Sequence, residues 1–149
     1  MKNEYDYIIV GGGIIGLATA YKLALKCPKK TILILEKEAQ LASHQTGNNS
    51  GVIHSGIYYT PGSLKAENCI NGRNQLISFA KNHNISFEMC GKLIAAFEES
   101  ELNTLQKIYN NGIQNGLKDI KIMSSEESKR NEPFIESSSR SVIQRISKN

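Results

Sequence analysis

The chain is poor in cysteine, and its cysteines are not placed for metal chemistry. Cys27, Cys69 and Cys90 are odd in number and widely spaced. There is no CxxC pair and no Cys/His cluster with metal spacing, so no metal site is expected. Three lone thiols suit a reducing compartment and read as packing residues. Basic runs are also missing. The net charge of +4 is spread along the chain, with no run of five or more basic residues. That reads as a solvated surface and not as a nucleic-acid face, which would carry a basic stripe with aromatics. A long hydrophobic run is missing too. Tyr7 to Tyr21 is free of charge, but it holds four glycines and is too short to span a bilayer. The N-terminus has no export signal, so the N-x-S triplets at Asn48 and Asn84 are chance matches. No internal repeat occurs.

What is present suits a folded domain. The 149 residues are 40% hydrophobic, enough for a packed core. Tyr5 to Val10 reads as a short strand broken by Gly11-Gly12-Gly13. Ile14 to Lys26 reads as a helix with Ile14, Leu17, Ala18, Tyr21 and Leu25 on its packing face, stopped by Pro28. Thr31 to Leu35 is an apolar run of strand length. Strand, glycine turn, helix and strand in this order predict a βαβ unit with parallel strands.

Ala39 to Thr60 has no period and reads as a long loop, the kind that is usually functional. Pro61 opens a helix to about Asn82, with Leu64, Ile70, Leu76, Ile77 and Ala80 inward. Gly72 in its middle suggests close backbone packing. Ile85 to Met89 and Lys92 to Phe97 read as two short strands. Glu99 to Asn115 reads as an amphipathic helix on Leu102, Leu105, Ile108, Tyr109 and Ile113, ended by Gly116. A strand over Ile120 to Met123 and a short helix capped by Ser124 and Glu127 follow, ending before Pro133. After Ile135 the serine-rich "ESSSRSVIQRISKN" shows no clear element.

Gly11-x-Gly13-x-x-Gly16 is a weak signal alone, but here it has a strand before it, a helix and strand after it, and Glu36 at the second strand's tip. Gly11 allows a tight turn, Gly13 allows the backbone to approach a pyrophosphate, and Gly16 allows the helix to lie against the sheet. The phosphates would meet free N–H groups at the positive end of the helix dipole. Glu36 would accept hydrogen bonds from ribose hydroxyls, and its charge disfavours a 2′-phosphate, hence NADP. The fingerprint does not separate NAD from FAD. The polar, glycine-rich loop after the second strand favours FAD, because it offers donors to a longer cofactor.

The stretches "YDYIIVGGGIIGLATAYKL", "LEKE", "HQTGNNSGVIHSGIYYTPGSLKAENC", "CGKLIAA" and "IQNG" resemble the L-2-hydroxyglutarate oxidase/dehydrogenase family. This family is a branch of the FAD-dependent oxidoreductases related to D-amino-acid oxidase. The likeness covers about residues 4 to 135, and the run from His44 to Ala66 is its most specific part. It implies a two-domain flavoenzyme that oxidises L-2-hydroxyglutarate to 2-oxoglutarate, passing hydride from C2 to the flavin and electrons on to a quinone or another acceptor. By the resemblance, Gly11, Gly13, Gly16 and Glu36 hold the ADP half and Lys37 covers the adenosine. Gln45, Thr46, Asn49, Ser50 and Gly51 run beside the pyrophosphate and flavin, and His54 and Ser55 reach the flavin ring. His54 is the candidate catalytic residue, either as a general base or as a group that positions the flavin. Lys92 is open between binding an acid and a structural place on a strand.

The expected fold class is α/β: a Rossmann-like FAD-binding βαβ unit followed by the start of an α+β substrate domain. Residues 1–82 are expected to serve the cofactor, 83–135 to begin the substrate domain, and 136–149 to form a divergent tail. After "NEPFI" the family's pattern returns to the FAD domain, whereas this chain ends at Asn149. A truncated reading frame and an incomplete fold, with uncovered apolar faces on the sheet, are therefore expected. The expected location is cytoplasmic, with any link to the inner face of the membrane peripheral. Two rival readings are a sister oxidoreductase acting on glycerol 3-phosphate or an amino acid, and a non-catalytic nucleotide-binding fragment.

Overall fold

The computed structural model describes residues 4–135 and the backbone of residues 140–144. Its elements are β1 (Tyr7–Val10), α1 (Ile14–Lys26), β2 (Ile32–Leu35), α2 (Leu64–Asn82), β3 (Lys92–Ala96), a 3-10 turn (Glu99–Glu101), α3 (Leu102–Gln114), β4 (Ile120–Ser124), α4 (Ser125–Asn131) and β5 (Arg140–Gln144). The chain divides into two compact units, one up to Val52 and one from Ile53 on.

The first unit is the expected βαβ unit. β1 and β2 are parallel, with Tyr7 beside Ile32 and Val10 beside Leu35. Asp6 sets this register. Its carboxylate accepts from the Thr31 N–H at 2.8 Å, the Thr31 hydroxyl at 2.9 Å and the Lys30 ammonium at 2.7 Å. These bonds, with the Lys30 hydrogen bond foremost, hold the Asp6 carboxyl well below the usual carboxylate range.

α1 keeps Leu17 of the expected face inward but otherwise packs on a different one. Gly16, Leu17, Ala20, Leu23 and Cys27 are half-buried, while Ile14, Ala18, Tyr21 and Leu25 are exposed. A Cβ at Gly16 would overlap the carbonyl oxygen of Gly11. The helix therefore turns its small residues inward, and close approach outweighs apolar bulk in choosing the face. Ile8, Val10 and Leu35 are exposed, so the apolar faces of the sheet are open as expected.

The second unit is built on an antiparallel sheet in the order β3-β5-β4. The segment expected to lack structure supplies the central strand: β5 pairs with β3 on one side and β4 on the other. Strand formation here is set by two partners distant in sequence, which a local reading of a serine-rich stretch does not register. The rest of residues 136–149 lies outside the described residues. The strand expected at Ile85–Met89 does not form. Asn84 turns the chain with φ 54°, and β3's described neighbour is β5, so no ladder takes up the 85–89 backbone.

The core of this unit joins Ile57, Ala96, Leu105, Leu117 and Ile120. Burying one such aliphatic side chain contributes roughly 1.5–3 kcal/mol. On α3 the expected face turns inward at Leu102, Leu105, Ile108 and Tyr109, whereas Ile113 is exposed and Gly112 is buried in its place. A Cβ at Gly112 would stand 2.6 Å from Ile120 Cδ1 and 3.1 Å from Ile57 Cγ1, so the helix sits too close for a side chain. Gly116, at φ +79°, ends the helix as expected. Its N–H donates to Ile113 O at 2.9 Å and that of Leu117 to Gly112 O at 3.0 Å, which closes the last turn.

The C-cap, Asn115, is buried, and its amide donates to the carbonyls of Gly56 at 3.0 Å and Tyr59 at 2.9 Å. α4 carries the expected capping box of Ser124 and Glu127.

α2 begins three residues after Pro61, with Ser63 as N-cap accepting from the Ala66 N–H at 3.2 Å. Its inner face is Ala66, Cys69, Ile70, Arg73, Ile77 and Ala80, with Leu64 and Leu76 exposed. Gly72 faces open space, and a Cβ there would meet nothing within 4 Å. The close packing expected at Gly72 is absent.

Three outcomes follow from this packing. Gly72→Ala raises stability by about 1 kcal/mol, since alanine removes the helix penalty of glycine without a clash; chemical denaturation measures it. Asn115→Ala lowers stability by roughly 1–3 kcal/mol, because two carbonyls in the turn lose their donor. The Asp6–Lys30 pair gives a pH signature. Asp6's depressed pKa contributes stability present above its ordinary value of 3.8 and lost as pH falls. Lys30's raised pKa contributes stability present below its ordinary 10.5 and lost as pH rises through the raised value. Asp6→Asn should flatten both limbs of a melting temperature–pH curve.

Candidate functional site

The glycine turn after β1 is fixed from both sides. The Gly11 N–H donates to Leu35 O at 2.8 Å, continuing the β1–β2 ladder by one step. Gly11 then turns with φ +103°, a conformation that favours glycine. A Cβ built at Gly11 would meet nothing within 4 Å, so space lies open beside it.

Glu36, just past the end of β2, reaches back to this turn. Its Oε2 accepts from the Gly12 N–H at 2.6 Å and its Oε1 from the Glu38 N–H at 3.0 Å. The Glu38 and Gly12 N–H groups, with smaller help from Lys37 N–H and His44, hold the Glu36 carboxyl below its ordinary range against partial desolvation. Glu36 is thus an ionised, acceptor-only group with lone pairs to spare.

α1 starts at Ile14 after Gly13, which has no side chain to cap it, and its first turn carries no acidic residue. The cap comes from 32 residues away, where the Thr46 hydroxyl accepts from the Ile14 N–H at 3.0 Å. The positive end of the dipole is therefore not neutralised by a carboxylate of its own first turn.

The loop that brings Thr46 here is braced by its own side chains. Asn48 Nδ2 donates to His44 O at 2.8 Å, Asn49 Nδ2 to Thr46 O at 2.7 Å, and the Gly51 N–H to Asn49 Oδ1 at 2.6 Å. Gln45 O accepts from the Asn48 N–H at 3.3 Å. His44 is exposed and paired with Glu38 at 3.0 Å.

The structure therefore gathers Gly11, Gly13, Gly16, Glu36 and Thr46 around one turn. Gln45, Asn49 and Gly51 brace the loop that holds Thr46, and Ser50 lies exposed within it. The Lys37 side chain is exposed and lies 3.6 Å from Glu38.

His54 and Ser55 belong to the second unit. His54 is exposed, and its carbonyl accepts from the Cys69 thiol at 3.5 Å. Ser55 Oγ accepts from the Ile57 N–H at 3.4 Å.

Gly12 and Leu41 were not foreseen as site residues. A Cβ at Gly12 would run into Leu41 and Glu36, so the middle glycine admits both side chains to the turn. The signal available was the middle glycine of the GGG run and a lone leucine in a polar stretch. Among the described residues no group of three or more His, Cys, Asp or Glu side chains could hold a metal ion. These parts fit the ADP half of a dinucleotide: open space at a glycine turn, an uncharged helix start for phosphate, and a carboxylate acceptor for ribose hydroxyls.

Comparison with known proteins agrees. The chain is 51% identical over 135 residues to the mitochondrial L-2-hydroxyglutarate dehydrogenase of Nematostella vectensis, covering 91% of this chain and 30% of that one. It is 47% identical over 131 residues to the L-2-hydroxyglutarate dehydrogenase of Indibacter alkaliphilus, covering 88% of this chain and 33% of that one. Among solved structures it is similar to the L-alpha-glycerophosphate oxidase of Mycoplasma pneumoniae with FAD bound, at 32% identity and TM-score 0.82, covering 95% of this chain and 38% of that one. The chain thus spans about a third of the length of the curated relatives it matches. The FAD dependent oxidoreductase family matches residues 6–144. With the glycine turn, Glu36 and this match over nearly the whole chain, the protein belongs to the FAD dependent oxidoreductase family.

Proposed function

We propose that this chain is the FAD-binding portion of an enzyme that oxidises L-2-hydroxyglutarate to 2-oxoglutarate. The observation that carries the substrate is the 51% identity, over nine-tenths of the chain, to a protein of that name. Residues 1–82 serve the cofactor and residues 83–135 begin the substrate domain. Bound FAD would supply the two-electron acceptor for the hydride leaving C2.

The chain's own residues do the rest. Gly11, Gly13 and the start of α1 hold the pyrophosphate, and Gly16 lets that helix come close. Glu36 accepts the ribose hydroxyls, and Lys37 covers the adenosine. Gln45, Thr46, Asn49, Ser50, Gly51 and Ser55 follow the cofactor towards the flavin. His54 takes the proton of the substrate hydroxyl as general base, and its exposed imidazole is open to a ligand. The electrons pass on to a quinone or another acceptor. No described helix is long and apolar enough to cross a membrane, and we assign any membrane association to peripheral contact.

A second reading, oxidation of glycerol 3-phosphate, draws on the likeness to the glycerophosphate oxidase. Purified protein loaded with FAD is assayed by dye reduction with L-2-hydroxyglutarate, glycerol 3-phosphate and amino acids. Reduction by L-2-hydroxyglutarate alone is the expected result. Reduction by glycerol 3-phosphate instead selects the second reading, and no reduction with FAD bound leaves a nucleotide-binding fragment. In the active protein, His54→Ala should lower kcat by about 10²–10⁴-fold. Glu36→Ala should weaken FAD binding, read by flavin fluorescence, by about ten-fold or more. The wild-type contribution of Glu36 should be full at neutral pH and fade only below its ordinary value of 4.5, because its pKa is depressed.

A further inference from the structure

The turn that follows His54 is held more firmly than its sequence suggests. Ile57 is only 1% exposed and sits in the core of the second unit. Asn115 bonds the carbonyls on either side of it, and the Tyr59 N–H closes the turn onto Gly56 O at 3.1 Å. Two tyrosines leave this fixed turn, and each carries a lysine on its ring. Lys92 Nζ stands 4.4 Å from the centre of Tyr58, and Lys65 Nζ stands 4.6 Å from the centre of Tyr59.

Neither ammonium is paired with a carboxylate among the described residues. A ring face steadies a cation without neutralising it, so the three N–H donors of each lysine stay open to an anion. Lys92 is the better placed of the two. It opens β3, a strand whose following residues run into the core, and it is exposed, as is Tyr58 beneath it at 47%.

We propose that Lys92, seated on Tyr58, is the subsite for the distal carboxylate of the substrate. The inference rests on the reading of the substrate as a 2-hydroxy dicarboxylate. That substrate differs from a simple 2-hydroxy acid by a second anionic group, and discriminating the two needs a fixed cation near the turn that carries His54. Tyr58 is four residues beyond His54 on that turn.

The test is a binding titration of the FAD-loaded protein with 2-oxoglutarate and with 2-oxobutyrate, which lacks the distal carboxylate. It is followed by NMR of the lysine side chains. Wild type should bind 2-oxoglutarate with a shift at Lys92. Lys92→Met should weaken that binding about ten-fold or more and leave 2-oxobutyrate unchanged. Lys92→Arg should recover most of the loss, and Lys65→Met should leave both unchanged. Thermal melts check that each variant is folded. Equal 2-oxoglutarate affinity in Lys92→Met and wild type overturns the subsite, as does loss in Lys65→Met alone or no wild-type binding.

Dye reduction by L-2-hydroxyglutarate separates this outcome from the wider reading. Turnover with an unchanged KM in Lys92→Met sinks the subsite and spares the function. Binding at Lys92 without turnover sinks the function and spares the subsite.

Discussion

The close approach of Gly16 to the carbonyl of Gly11 governs the arrangement of the first unit. Any side chain at Gly16 would overlap that carbonyl. With hydrogen there, α1 can start at Ile14 directly above the turn, and its small residues Gly16 and Ala20 face inward. The N-terminus of α1 is then close enough for Thr46 to cap it, and Gly12 is close enough to β2 for Glu36 to accept its N–H. The open backbone of the turn and the carboxylate held beside it are thus consequences of one steric fact. The same fact explains why the bulkier Ile14, Tyr21 and Leu25 face away from the strands they were expected to cover.

The second unit depends on a different kind of contact. Asn115 ends α3 and at the same time satisfies two carbonyls of the Gly56–Tyr59 turn. A buried amide with two good partners fixes a loop more specifically than apolar packing does, because its donors have direction. Ile57 packs beneath the same turn, against the Gly112 position where α3 has no side chain. Tyr58 and Tyr59 inherit their positions from this anchor. The family motif around His54 therefore begins at a flexible-looking glycine and ends on a rigid platform.

Much of this was legible in order along the chain. The glycine spacing, the apolar run of β2 and Glu36 at its tip name the βαβ unit and its ligand class, because each part depends on near neighbours. Ser124 with Glu127 and Gly116 mark helix ends for the same reason. Where residues distant in sequence meet, the reading failed. The Ile85–Met89 stretch alternates like a strand yet has no ladder to join, and the serine-rich end supplies the middle strand of a sheet. Gly72 was read as a packing glycine and faces open space, while Gly112, which passed unremarked, is the one that admits Ile57 and Ile120.

The sequence by itself determined the α/β start, the dinucleotide turn and the family, since these are written in local spacing and in a nearly unbroken likeness. Tertiary structure alone decided which face of α1 is buried, that Thr46 rather than a neighbour caps α1, and that Asn115 holds the turn after His54. Those choices turn on backbone distances of a few ångströms between segments tens of residues apart. No periodicity within either segment encodes such a distance.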